Sequence, residues 1–136
     1  EQAQQNFDDS PWSENLNLVI TKFQEFETNQ NFDLIVCNPP FFNDSKRSEN
    51  HGSNLARHSV ELNLQDLVSY AKPLLNKTGK LCLVLPFDQT NKIEEIASKS
   101  GLFITRNCAV SPKENAKPKR VLLELQKQKS TCTSRF

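Results

Sequence analysis

Apolar positions along this chain come in short runs divided by polar stretches, with one longer stretch at helical spacing. Leu16-Asn17-Leu18-Val19-Ile20 is rich in apolar and β-branched residues and predicts a strand. Leu34-Ile35-Val36-Cys37 is a continuous apolar run, which fits a central strand of a parallel sheet covered on both faces. From Leu64 to Leu75 the apolar residues fall at 64, 67, 68, 71, 74 and 75, a 3.6-residue stripe that predicts a helix, with Pro73 kinking or shortening its end. After a turn at Asn76–Lys80, Leu81-Cys82-Leu83-Val84-Leu85 reads as a second buried strand closed by Pro86. Ile93 to Ser100 predicts a helix stopped by Gly101. Leu102–Val110 and Val121–Leu125 predict two more strands, and Lys127 onward a frayed polar tail. Ahead of all this, residues 1–9 read as the end of a helix broken by Ser10-Pro11-Trp12, and Glu25–Asn31 as a loop or short helical turn. Strands alternating with helices make the fold class α/β.

The most specific stretch is where the run Leu34–Cys37 meets Asn38-Pro39-Pro40-Phe41-Phe42. Neither proline has an N–H for a strand ladder, and each holds φ near −65°. The residue before a proline is pushed towards extended geometry, so Asn38 is held stiffly too. A polar side chain and bare carbonyls are thereby fixed at the carboxyl end of a strand, the edge at which open α/β sheets bind ligands. Such a turn suits an amino group conjugated to a ring, whose lone pair is delocalised. The Asn38 side-chain oxygen and the Pro39 carbonyl can each accept one amino hydrogen, which favours a pyramidal nitrogen with its lone pair aimed. Phe41 can stack on the ring. The competing reading is an ordinary strand that ends in a Pro-Pro turn, with the phenylalanines serving as core.

Two further stretches have polar character. Residues 43–54, Arg47 among them, are almost entirely polar and read either as a mobile loop over a site or as a surface excursion. Arg57 and His58 follow. Arg57 suits a phosphate, and His58 a base or the cap of the next helix. Between the last two predicted strands, Ser111–Arg120 carries Lys113, Lys117, Lys119 and Arg120 against one acid, with two prolines to keep it extended. It is the strongest local positive cluster, either a hairpin tip that rests on RNA phosphate or a solvated loop.

Length and composition narrow the class only a little. The 136 residues suffice for one domain with a core, and 36% hydrophobic with 24% charged residues fits a soluble, somewhat polar protein. No apolar run approaches membrane-spanning length, and the net charge of +1 is uninformative about partners. Cys37, Cys82, Cys108 and Cys132 include no close pair of the metal-binding kind, and three of them sit in apolar runs, which favours a reducing cytoplasm and argues against zinc. The three glycines, Gly52, Gly79 and Gly101, are isolated, so no glycine-rich turn follows a strand.

Asn38-Pro39-Pro40-Phe41 resembles motif IV of the class I S-adenosylmethionine-dependent methyltransferases that modify amino groups. With Phe42 and the later Asn54-Leu55-Ala56-Arg57-His58, the stretch is similar to the bacterial tRNA1(Val) adenine-N6 methyltransferases, which act next to the anticodon at position 37. The similarity runs from Ser10-Pro11-Trp12 to Arg120-Val121-Leu122-Leu123 and covers the later part of the family's length.

The resemblance implies a Rossmann-like fold whose sheet order is third, second, first, fourth, fifth, seventh, sixth, with the seventh strand antiparallel. The strands expected here are the third (16–20), fourth (33–37), fifth (81–85), sixth (102–110) and seventh (121–125). The first strands and the glycine turn are expected upstream of Glu1. Residues 1–127 are then the C-terminal part of a methyltransferase domain and 128–136 a polar tail. The 136 residues alone are expected to be inactive. The implied cofactor is S-adenosylmethionine and the implied partner tRNA. Asn38, Pro39, Pro40 and Phe41 are the implied catalytic residues, with Asn38, Lys22 and Phe23 at the cofactor. Many relatives have an acid where this chain has Lys22, and a core role for Phe23 stands beside the pocket role. Phe42, Arg47, Arg57, His58, Lys113, Lys117, Lys119 and Arg120 are the implied RNA contacts. Ribosomal guanine-N2 and protein glutamine-N5 methyltransferases carry similar turns and are the alternatives, together with a non-catalytic RNA-binding module.

Overall fold

The computed structural model describes residues 1–39 and 63–130, and the backbone of 133–135. Its elements are α1 (Gln2–Asp8), β1 (Phe32–Cys37), α2 (Leu64–Leu74), β2 (Leu75–Pro86), α3 (Thr90–Lys99), β3 (Phe103–Val110), β4 (Arg120–Gln126) and β5 (Thr133–Arg135), with 3₁₀ turns at Ser13–Asn15, Phe23–Glu25 and Phe87–Gln89. The strands form one sheet in the order β1-β2-β4-β3-β5. β1 and β2 are parallel, so the chain must cross over between them, and α2 lies on that crossover. β3 and β4 form an antiparallel hairpin, and β4 inserts antiparallel beside β2. The order and directions expected for the fourth, fifth, seventh and sixth strands are those observed in β1, β2, β4 and β3.

Helices α2 and α3 cover one face. Leu67, Val68 and Ala71 from α2 and Ile93, Ile96 and Ala97 from α3 meet Leu81, Leu83 and Leu85 of β2 and Val121, Leu123 and Leu125 of β4. Each helix has a local reason to stop or start where it does. Asn63 caps α2, accepting from the Asp66 N–H at 2.9 Å and donating from Nδ2 to the Asp66 carboxylate at 2.9 Å. At the end of α3, Gly101 takes φ +69°, and the N–H groups of Leu102 and Gly101 close onto the carbonyls of Ala97 (2.8 Å) and Ser98 (3.1 Å). That paired closure satisfies two end carbonyls, and the Lys72 ammonium bonds a third, that of Ser100, at 2.7 Å. The buried polar Thr105 sits where the register of β3 slips, and its hydroxyl is satisfied by the Glu124 carbonyl and carboxylate.

Four expectations are corrected. Residues 16–20 form no strand, and Val19 and Ile20 are 59% and 88% exposed. A β-prone run without a neighbouring ladder has nothing to hold it extended and buried. Among the described residues β1 is covered on one face only: it stands at the edge of the described sheet, with Ile35 and Cys37 towards the helices and Leu34 and Val36 exposed at 54% and 66%. β2 starts at Leu75, earlier than the expected Leu81, and absorbs the turn predicted at 76–80 as a register jump, since Phe32 pairs with Leu75 but Leu34 with Lys80. Gly79 makes this possible, because a Cβ there would lie 2.6 Å from the Phe32 carbonyl oxygen. The tail does not simply fray: Thr133–Arg135 pair in parallel with Arg106–Cys108 of β3.

Candidate active site

Strand directions decide which loops can meet. β1 ends at Cys37 and its parallel neighbour β2 ends at Pro86, both at the same edge. β4 runs the other way, so it begins there, with Arg120 opposite Pro86. β3 ends there too, with Val110 opposite Arg120. The carboxyl edge of β1 therefore also carries the Pro86-Phe87 turn and the basic hairpin 111–119.

At the end of β1 the Asn38 side chain is exposed and Pro39 is buried, so a stiff, packed residue stands immediately behind a solvent-facing amide. Cys37 pairs with Leu83, and β2 continues three residues past that level, about 10 Å at 3.2–3.4 Å per residue. β2 thus forms a wall beside Asn38, topped by Phe87. Burial pushes the Cys37 thiol above its usual range, so at neutral pH it stays protonated and supplies no nucleophile to this edge.

The hairpin is bound to that wall. The Lys119 N–H donates to the Val110 carbonyl at 2.9 Å and the Lys119 carbonyl accepts from the Phe87 N–H at 3.1 Å. Its tip closes with the Ala116 N–H on the Lys113 carbonyl at 3.2 Å, and Asn115 takes φ 59°, a left-handed conformation that asparagine tolerates. Lys113, Lys117, Lys119 and Arg120 are all exposed. β4 lies two strands from β1, about 9–10 Å at ordinary strand spacing. The positive cluster and Asn38 accordingly share one edge.

The two other cofactor candidates each have one contact within the fold. Lys22 pairs with Glu25 at 2.9 Å on the surface. Phe23 packs against the hydrophobic cluster and meets Tyr70 of α2 edge-on at 6.5 Å, which is the core role that stood beside the pocket role. Pro40, Phe41, Phe42, Arg47, Arg57 and His58 lie outside the described residues. An open cleft of about 580 Å³ lies at the opposite, amino end of β1, lined by Asn31, Asp33, Asn76, Lys77 and Lys127 among others. Its amides and Lys127 are largely used within the fold: Asn76 donates to Asp33, Asn31 to the Pro73 carbonyl and Lys127 to the Leu75 carbonyl.

Sequence reasoning overlooks Phe87. Its signal is present, since Leu81–Leu85-Pro86-Phe87 repeats the pattern of Leu34–Cys37, that is, an apolar strand stopped by proline and then an aromatic. None of the described helices is long and apolar enough to cross a membrane.

The tRNA1(Val) (adenine(37)-N6)-methyltransferase of Parabacteroides distasonis is 40% identical over 126 residues, covering 91% of this chain and 53% of the relative. The protein of the same name from Bacteroides fragilis is 33% identical over 135 residues, covering 97% and 57%. This chain thus spans about half the length of the curated relatives it matches. Among solved structures, the M1.HpyAVI–SAM complex superposes with a TM-score of 0.49 at 14% identity, over 75% of this chain and 46% of that one. The family model described as Eco57I restriction-modification methylase matches residues 1–111, and the chain belongs to that family.

Proposed function

We propose that the protein containing this chain is a cytoplasmic methyltransferase that transfers a methyl group from S-adenosylmethionine to N6 of the adenine next to the anticodon, position 37, of tRNA1(Val). The observation that carries the reading is the exposed Asn38 amide fixed at the carboxyl end of β1 by buried Pro39. The named function of relatives 33–40% identical over nine-tenths of the chain or more supports the choice of substrate.

S-adenosylmethionine supplies the methyl group when bound. Asn38, Lys22 and Phe23 are the residues of this chain that would face it; Lys22 also pairs with Glu25 at the surface and Phe23 also meets Tyr70. The contribution of this chain is positioning. The Asn38 Oδ1 and the Pro39 carbonyl accept the two amino hydrogens, so the nitrogen lone pair leaves conjugation with the ring and points at the methyl carbon. As the N–C bond forms, the methyl–sulfur bond would break to leave S-adenosylhomocysteine, and the amino group would lose one proton to solvent. Pro40 stiffens the turn and Phe41 stacks the adenine, which has to leave its own stack to arrive. Phe42, Arg47, Arg57 and His58, with Lys113, Lys117, Lys119 and Arg120, contact the RNA. The four hairpin residues stand on the same edge as Asn38, which supports that role for them.

The test is methylation of individual tRNAs by the intact protein, followed by nucleoside digestion and mass spectrometry. N6-methyladenosine at position 37 of tRNA1(Val) is the expected product. Methyl transfer only to guanine N2, to a protein glutamine, or to nothing overturns the reading.

A further inference from the structure

We infer that Phe87 is a second stacking platform, one that holds a base of the RNA strand flanking the methylated adenine while Lys119 and Arg120 lie along the backbone. This deepens the function proposed above and rests on it. Phe87 is 38% exposed although its backbone is pinned on both sides. Its N–H donates to the Lys119 carbonyl at 3.1 Å, and its own carbonyl accepts from the Thr90 hydroxyl at 2.6 Å. Pro86 ahead of it has the restricted φ of −55°. With its backbone already fixed, the ring has only its two side-chain angles left to order when it meets a ligand.

Position supplies the rest of the argument. Asn38 is one residue past Cys37 and so level with Val84, three residues below Phe87. With ~3.3 Å per residue along the strands and ~4.8 Å between them, Phe87 stands on the order of 11 Å from Asn38. That is about three base steps of ~3.4 Å, within reach of a neighbour of an extruded adenine. Pro86 pairs with Arg120, and Phe87, the next residue, is bonded through its N–H to the Lys119 carbonyl, so the exposed residues Phe87, Lys119 and Arg120 start from neighbouring points of one edge. Aromatic faces interleaved with cations along one edge suit single-stranded nucleic acid, because every base has a π-face to stack and a phosphate to neutralise.

The experiment uses the intact protein and the anticodon stem-loop of tRNA1(Val), with 2-aminopurine placed beside the target adenine. Binding is read by anisotropy and stacking by fluorescence quenching, for wild type, Phe87→Ala, Phe87→Leu and Phe87→Tyr. Ala and Leu are expected to weaken Kd about 10-fold or more and to relieve the quench, whereas Tyr keeps both near wild type. Should Phe87→Ala fail to fold, the Leu and Tyr pair still decides, since leucine preserves apolar bulk without a ring. If Leu binds and quenches like wild type, stacking is overturned. Methylation of tRNA by the wild type with all variants binding alike sinks the role of Phe87 alone. Absence of both binding and methylation in the wild type sinks the RNA reading and this inference with it.

Discussion

On the helix-covered face of the sheet, Leu81, Leu83 and Leu85 are 0–1% exposed, while two residues after Leu85, at the carboxyl edge, Phe87 is 38% exposed. β2 supplies the first three and the turn directly after it the last. On the face, alternate residues of β2 and β4 disappear under α2 and α3, and polar atoms are almost excluded. At the edge the backbone is just as well held, by Pro39, Pro86 and the bonds of Lys119, but the side chains face solvent. Order there comes from prolines, Pro39 buried among them, and from main-chain bonds, while Asn38, Phe87 and Lys119 stay exposed. The contrast teaches that stability and recognition are separable here: changes to the face should alter unfolding, and changes to the edge should alter catalysis and binding with little effect on unfolding.

The largest effect that separates them is Leu83→Ala. The side chain is 1% exposed and surrounded by the core cluster. Its removal should cost about 2–5 kcal/mol, seen as a lower denaturant midpoint of the intact protein at unchanged m. A cost below about 1 kcal/mol would mean that the helices do not close over β2.

Asn38→Ala is the matching change at the edge. In the intact enzyme, loss of one positioning hydrogen bond in a closed site should lower kcat about 10²-fold or more. The denaturant midpoint should stay put, because Asn38 is exposed. Near-normal turnover would remove Asn38 from the chemistry, and a large shift of the midpoint would blur the comparison itself.

Neutralising Lys113, Lys117, Lys119 and Arg120 together should weaken tRNA binding and flatten its dependence on salt. For every phosphate that is no longer neutralised, the slope of log K against log salt should fall by about 0.7–0.9. An unchanged slope would make this hairpin a solvated loop that happens to share an edge with Asn38.

Much of the face can be read in the sequence, because burial leaves a period. The stripe Leu64–Leu75 foretells α2 to within a residue at its end, and the apolar cores of β2, β3 and β4 are each legible. α3 begins at Thr90 rather than Ile93 because its first turn, Thr90-Asn91-Lys92, is polar and adds nothing to a stripe. Leu34–Cys37 is ambiguous for a related reason: four apolar residues in a row look alike in a central strand and at an edge with one open face. Leu16–Ile20 shows that β-propensity without a partner strand makes no strand. At the edge, Asn38-Pro39 is legible because proline chemistry is local. Phe87 is not, because its exposure depends on where β4 and the hairpin fall.

The smallest effect is also the sharpest probe, because it compares two adjacent residues of one strand. Ile35 packs against the core cluster, and Val36 beside it points the other way and is 66% exposed. Threonine is well tolerated in strands, so Ile35→Thr and Val36→Thr differ chiefly in what surrounds the new hydroxyl. Ile35→Thr should cost about 1–3 kcal/mol, through poorer apolar packing and a hydroxyl placed against leucine. Val36→Thr should stay within about 0.5 kcal/mol, as for other surface changes. The measurement is the difference between the two denaturant midpoints in the intact protein, which cancels errors of extrapolation common to both. A clear gap would establish that only one face of β1 is covered. Equal, large costs would show that in the intact protein another layer packs over Leu34 and Val36, and β1 would then be the doubly covered strand that its apolar run suggests.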